Sequence, residues 1–243
     1  MRVVLLDISG KVLIYDLALF EALRKENKDV RVRFMAPGYG LLSLIPKKWK
    51  YSENIVKRLV KVAEGLLNYA FTIIKVVCSK PDVLHMQWLP FMEFVGWEIP
   101  ILKCLKWLSP KTRLVLTIHN VYPHDMNDVH KMAYNERFRK ACSLFDAFIV
   151  HPKISKEDVI REFGLNADKV HVCCHGVFEP KDVNVISDYR KDGILHILQF
   201  GGQSYYKGTD LLVDAVCGLD YERKKHIETH IVGEISQNFL DEL

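Results

Sequence analysis

Several signatures of the commonest nucleotide-fold chemistries are missing from this chain, and each absence removes a class of function. The first strand-to-helix turn, Asp7-Ile-Ser-Gly-Lys11, does not carry G-x-G-x-x-G, the spacing that lets a backbone close on a dinucleotide pyrophosphate, so a dehydrogenase reading loses its main support. There is no P-loop, no G-x-S-x-G elbow and no H-E-x-x-H, which sets aside NTPase, α/β-hydrolase and zinc-protease chemistry. The six cysteines (Cys78, Cys104, Cys142, Cys173, Cys174, Cys217) nowhere form C-x-x-C, which argues against a zinc site or a redox pair. Several stand in apolar surroundings and read as small core residues of a reduced, cytosolic protein. No uncharged apolar run reaches ~18 residues, and the apolar start MRVVLLDISGK is short and broken by Asp7, so neither a membrane span nor a signal peptide is expected. Internal repeats and low-complexity tracts are also missing.

What is present describes a globular protein: 243 residues, 49% hydrophobic and 26% charged. The net charge of +4 is too small to argue for nucleic acid, but its distribution is uneven. Residues 41–80 hold eight basic side chains against two acidic ones, an excess of six positive charges that leaves the remainder slightly acidic. Trp49, Tyr51 and Phe71 accompany these lysines, a composition suited to contact with an anionic leaflet through 41–61. The alternative is an ordinary domain helix over 53–77, with Lys57, Lys61, Glu64, Asn68, Thr72 and Lys75 forming one solvated stripe and a wide apolar face packed inward.

Apolar, β-branched runs recur at 3–6, 30–35, 83–86, 114–118, 147–150, 170–173, 194–200 and 230–232, each followed by a helical pattern. Such alternation predicts an α/β fold with a doubly wound parallel sheet. Ser155-Lys-Glu-Asp158 reads as a capping box opening a helix that ends near Gly164. Periodicity is lost over 176–192, which predicts a domain over 1–178 and, over 179–243, a linker with the incomplete start of a second Rossmann-like domain.

Three places carry candidate chemistry. In 198–215, LQFGGQSYYKGTDLLVDA, a strand runs into Gly201 and Gly202, then Lys207-Gly208, then an amphipathic helix, an order of parts suited to holding a phosphate on free backbone amides and one cation. A plain βα turn with a surface lysine fits the same residues. In 114–125, LVLTIHNVYPHD, His119 ends a strand where open α/β sheets bind ligands, His124 and Asp125 follow in the same loop, and His85 ends another strand in the same manner. Histidines that merely cap the sheet are the alternative. The Ser9-Gly10-Lys11 turn could receive an anion ahead of its helix, or be a simple tight turn.

Taken in order, 114–125, 148–178 (FIVHPKISKEDVIREFGLNADKVHVCCHGVF) and 197–215 (ILQFGGQSYYKGTDLLVDA) resemble the family 4 retaining glycosyltransferases of GT-B fold. The resemblance implies two facing Rossmann-like domains, the first on the acceptor side and the second holding a nucleoside diphosphate sugar. It implies a hexose moved to a lipid-linked or saccharide acceptor with retention, in surface polysaccharide assembly. No metal and no cofactor are then needed. Lys207 matches the diphosphate lysine, with Gly201, Gly202 and Gly208 around it. His119 matches the histidine against the donor sugar, Ser9 and Gly10 stand in the phosphate-side loop, and His85, His124 and Asp125 are assigned to the sugar or acceptor cleft. A cytoplasmic placement at the inner face of the membrane follows. Two departures are visible: Gly202, Gln203 and Ser204 stand where the family has an arginine, and the Glu-rich motif of the donor domain is not reached by Leu243. These departures motivate the alternative of a non-catalytic member that binds acceptor, membrane or a partner chain.

Overall fold

The computed structural model describes residues 1–26, 28–45, 55–123, 126, 128–176 and 193–243. The chain forms two compact units, Met1–Glu179 and Pro180–Leu243. The first alternates β1 (Arg2–Leu6), α1 (Leu13–Glu26), β2 (Arg31–Pro37), β3 (Gly40–Leu41), α2 (Ile55–Ser79), β4 (Val83–Met86), α3 (Glu98–Leu108), β5 (Arg113–Thr117), α4 (Asp128–Cys142), β6 (Ala147–Val150), α5 (Lys153–Phe163) and β7 (Val170–Val172). Its seven strands are parallel in the order β3-β2-β1-β4-β5-β6-β7. The winding therefore reverses between β1 and β4, which places a topological switch point at their carboxyl ends. The inner strands read as continuous apolar runs because both faces are covered: Leu5, Leu6, Leu84, Met86, Leu114, Leu116, Phe148 and Val150 are all buried.

The doubly wound parallel sheet anticipated from the alternating runs is present. Strand β3 is an addition of two residues, too short to leave a periodic signal. The capping box is not: α5 begins at Lys153 behind an extended Pro152, with no side-chain cap, so Ser155 lies inside the helix. Pro152 stands just outside the first turn, at φ −89° and ψ 155°, where its missing N–H removes no helical hydrogen bond. The far end is as read, with Gly164 in the left-handed conformation at φ 65°.

Helix α2 reverses the expectation of a solvated polar stripe. Glu64, Asn68 and Thr72 are buried, while Leu59, Leu66, Leu67, Phe71 and Ile74 are exposed. The cause is the irregular segment after β3, whose backbone groups have no ladder to join. The Asn68 side chain accepts from Leu42 N–H at 2.8 Å and donates to Leu42 C=O at 3.0 Å, and Glu64 accepts from Leu44 N–H. Thr72 turns its hydroxyl onto the Asn68 carbonyl at 2.8 Å. Buried backbone groups must be paired, and here the helix supplies the partners. The 46–54 part of the basic window lies outside the described residues.

The second unit is one parallel βαβ: β8 (Leu195–Phe200), a 3-10 turn (Tyr205–Lys207), α6 (Thr209–Cys217), α7 (Tyr221–Lys224), β9 (Ile227–Val232) and α8 (Gln237–Glu242). Strands β8 and β9 pair in register from Leu195↔Ile227 to Phe200↔Val232. Ser236 caps α8 by accepting from Phe239 N–H at 3.3 Å, and the buried Phe239 ring meets Tyr205 edge-on at 4.6 Å.

One packing feature is directly testable. A Cβ at Gly65 would lie 2.6 Å from Cζ of Phe91, whose ring is itself wedged beside Tyr69 and Trp97. Gly65→Ala gains up to about 1 kcal/mol of helix propensity but overpacks a rigid contact worth about 1–3 kcal/mol, so a net loss of stability is expected in urea denaturation.

Candidate functional site

In the first unit, four strand ends converge on one aromatic and imidazole cluster. His119 follows β5 by two residues, and its Nε2 lies 3.1 Å from Oε1 of Gln87, the residue just after β4. An amide oxygen only accepts, so His119 carries its proton on Nε2 and keeps a lone pair on Nδ1. The Gln87 Nε2 donates at 3.3 Å to Nε2 of His85, which also meets the Thr117 hydroxyl at 2.8 Å. The His119 ring stacks on Trp88 at 4.9 Å with planes 14° apart. Tyr15 from α1 stands edge-on to it at 5.2 Å, and His151, after β6, lies at 5.3 Å. His175, beyond β7, closes the group at 4.9 Å from His151 and 5.0 Å from Tyr15.

The loop that carries Trp88 is pinned from two sides. Phe91 N–H donates to the buried Glu98 carboxylate at 2.5 Å, and Arg137 donates to the carbonyls of Met92 and Glu93 at 3.1 and 2.9 Å. In front of it opens a cavity of about 530 Å³, lined among others by Lys11, Gln87, Trp88, Glu93, His119 and Asn120. The Lys11 ammonium lies 5.4 Å over the Trp88 ring. His85 does not line this cavity; it is buried behind Gln87 and sets the orientation of that amide. His124 and Asp125 lie outside the described residues.

Burial governs the charges. It pushes His119 down to about 4, helped by His151, His175 and His85, and it alone takes His85 to about 4. Both are therefore neutral hydrogen-bonding groups at physiological pH. His151 hands Nδ1 to the Cys173 carbonyl at 3.0 Å, while its Nε2 is buried without a partner. Tyr15 is raised to about 12, first by burial and then by Cys173 and Asp16. Asp16 is fully buried beside Asp7, and burial, followed by the charge of Asp7 and a hydrogen bond shared with it, lifts it to about 8. Asp7 in turn holds the Ser9-Gly10 turn: its Oδ1 accepts from Ser9 N–H and Ser9 Oγ, both at 2.8 Å, and Gly10 takes φ 63°. The Ser9 hydroxyl is thus committed to Asp7.

The second unit brings Gly201, Gly202, Lys207 and Gly208 into one loop between β8 and α6. Gly208, at φ 69°, ends the 3-10 turn and caps α6 without a side chain, so the first amides of that helix have no side-chain acceptor. Lys207 is exposed, with Nζ 5.0 Å over the Tyr206 ring. Gln203 is an internal strut: Nε2 donates to Gly201 C=O at 2.8 Å and Oε1 accepts from Thr209 Oγ1 at 2.9 Å. The loop after β9 presses on the same turn, and a Cβ at Gly233 would stand 1.8 Å from the Gly201 oxygen. On this sheet His196 and His230 face Glu228 at 3.1 and 3.2 Å, the one cluster of three metal-type donors among the described residues.

Sequence reasoning missed Gln87, Trp88, Tyr15, His151 and His175, while Lys11 entered it only through the Ser9-Gly10-Lys11 turn. His151 and His175 follow strands just as His119 does, and that signal was available. Tyr15 carried none, because nothing local says which helix side chain leans over a sheet edge.

Residues 15–178 match the family described as Glycosyltransferase Family 4, and the chain belongs to it. Its fold is similar to that of HepE from Anabaena, solved in complex with UDP-glucose, at 16% identity and TM-score 0.57, over 100% of this chain and 64% of that one. Glycyrrhiza uralensis UGT73P12, complexed with glycyrrhetinic acid 3-O-monoglucuronide, aligns at 13% identity and TM-score 0.48, over 99% and 65%. No curated protein sequence matches. The chain therefore has the α/β organisation of the GT-B glycosyltransferases and spans about 64% of the length of HepE.

The titrations above have opposite signs. Folded Asp16 holds a proton between pH 3.8 and about 8 that the unfolded chain releases, so stability falls as pH rises through that window. The two histidines refuse a proton between about 6.5 and 4 that the unfolded chain accepts, so stability also falls as pH drops there. Thermal melts of Asp16→Asn should show a gain of several degrees at pH 8 that vanishes near pH 4, with the acid limb unchanged.

Proposed function

We propose that the chain serves transfer of a hexose from a nucleoside diphosphate sugar to a lipid-linked or saccharide acceptor with retention of anomeric configuration, in surface polysaccharide assembly. The observation that carries this reading is the β8–α6 loop. Departure of a nucleoside diphosphate builds negative charge on the bridging oxygen, and Lys207 beside side-chain-free α6 amides is a seat for that charge. Lys207 and backbone amides do this work without a metal or cofactor. The stacked Trp88–His119 pair suits a sugar ring: indole for its C–H face, and an imidazole lone pair at Nδ1 to accept from a hydroxyl. Uridine diphosphate glucose is the first donor to test, because HepE was solved with it. The proposal includes a cytoplasmic enzyme working at the inner face of the membrane. A non-catalytic binding member is the second reading, favoured by Gln203, whose side chain is spent on the loop itself.

Calorimetry with UDP and UDP-glucose tests the loop. Wild type should bind in the micromolar range and Lys207→Ala roughly tenfold or more weaker, the order expected for one charge-assisted contact. Equal binding by the two proteins overturns the assignment, and binding without transfer to any acceptor selects the second reading. In a labelled-sugar assay His119→Ala should cut transfer on the order of tenfold or more while UDP affinity stays about the same, because positioning and not nucleotide binding is lost.

A further inference from the structure

We propose that His196, Glu228 and His230 form a zinc site that clamps β8 to β9, on the face of their sheet turned away from the Lys207 loop. The site goes beyond the sugar-transfer reading and does not depend on it.

Strand register brings the three donors together. His196 pairs with Glu228, and Leu198 with His230, across the parallel ladder. Side chains alternate along a strand, so His196, Glu228 and His230 project from one face, beside Leu198, Phe200 and Val232. The other face carries Ile197, Gln199, Thr229 and Ile231, and there Gln199 donates to the Lys207 carbonyl at 3.1 Å. The sheet therefore stands between the three donors and the turn proposed to hold a diphosphate.

Their geometry suits ligands around one ion. Glu228 Oε2 lies 3.1 Å from Nδ1 of His196, and its Oε1 lies 3.2 Å from Nε2 of His230. The two imidazole planes are 17° apart with centroids at 6.3 Å, so a single carboxylate reaches both. Ligand atoms from the three residues all lie within 4.8 Å of one another. Zinc holds nitrogen and oxygen ligands at about 2.0–2.1 Å, which puts neighbouring corners of a tetrahedron about 3.3–3.4 Å apart. Two edges are already close to that length, and the half-exposed Glu228 and His230 side chains can turn to close the third.

The donor set and its surroundings select the ion. Two imidazoles and one carboxylate favour a first-row transition ion over magnesium or calcium, which prefer oxygen throughout. Leu198, Phe200 and Val232 are exposed and enclose no chamber for a co-substrate, which fits a structural ion without redox chemistry. β8 and β9 form a two-stranded sheet among the described residues, and an isolated strand pair is marginal. The chain runs from His196 to Glu228 by way of α6 and α7, so one ion closes that loop and fixes the register of the pair.

The test is calorimetric titration of chelator-stripped protein with zinc. Wild type should take up one ion per chain in the micromolar range or tighter. Glu228→Gln keeps an oxygen that can accept from an imidazole but loses the anionic ligand, and His230→Ala removes a nitrogen ligand at a half-exposed position. Each should weaken zinc binding at least about tenfold, since loss of a ligand's hydrogen-bond support alone costs about 10–100-fold. Saturating zinc should raise the wild-type melting temperature by several degrees and leave both variants where they are. The inference is overturned if wild type takes up no zinc, if both variants bind it as wild type does, or if excess magnesium displaces it. Zinc uptake by a protein that binds no UDP would leave the clamp standing and remove the sugar-transfer reading, and UDP binding without zinc uptake would do the reverse.

Discussion

Wherever the chain leaves the carboxyl end of a parallel strand, its amides and carbonyls lose their ladder partners and must find others, and three polar side chains answer that demand. Asp7 takes the N–H and hydroxyl of Ser9 after β1, Asn68 takes both backbone groups of Leu42 after β3, and Gln203 takes the Gly201 carbonyl after β8. Each choice has a functional consequence at the neighbouring surface. Asp7 turns the Ser9 hydroxyl inward and raises the proton affinity of Asp16. Asn68 draws the polar edge of α2 into the protein and so presents its apolar edge to the outside. Gln203 stiffens the loop that carries Lys207.

The two units carry different kinds of polar group. The first contributes neutral, tautomer-locked imidazole on an aromatic platform, and the second contributes positive charge at the start of a helix. This division suits the transfer proposed. A sugar is recognised by hydroxyl partners and an apolar ring face, and a leaving diphosphate by amides and a lysine. The network Thr117–His85–Gln87–His119 has no charge in it at neutral pH, so it fixes hydrogen-bond direction without attracting an anion.

Much of this was legible in the residues. Apolar, β-branched runs located eight of the nine strands among the described residues within a few positions, and the order strand, glycine turn, Lys-Gly, helix stood plainly at 198–215. His119 was legible because a strand end in an open parallel sheet is a place where ligands bind. His85 was given the same role by the same logic, yet one residue of pleat puts it inside against Thr117, and it acts through Gln87. Ser155 and Asp158 had capping spacing, but the helix had already begun at Lys153.

Local covalent preferences and side-chain periodicity are properties of a segment by itself, so the sequence alone determined the α/β alternation, the glycine conformations at Gly164 and Gly208, and the family. Which face of α2 turns inward, which helix leans Tyr15 over the strand ends, and how Gln87 joins two histidines are properties of what stands opposite. An amphipathic stripe has two sides, and the chain's pattern shows only that they differ. The unpaired backbone of residues 42–44, brought beside α2 by the β2–β3 turn, decided the matter, because buried amides left without partners cost more than an apolar face left without cover.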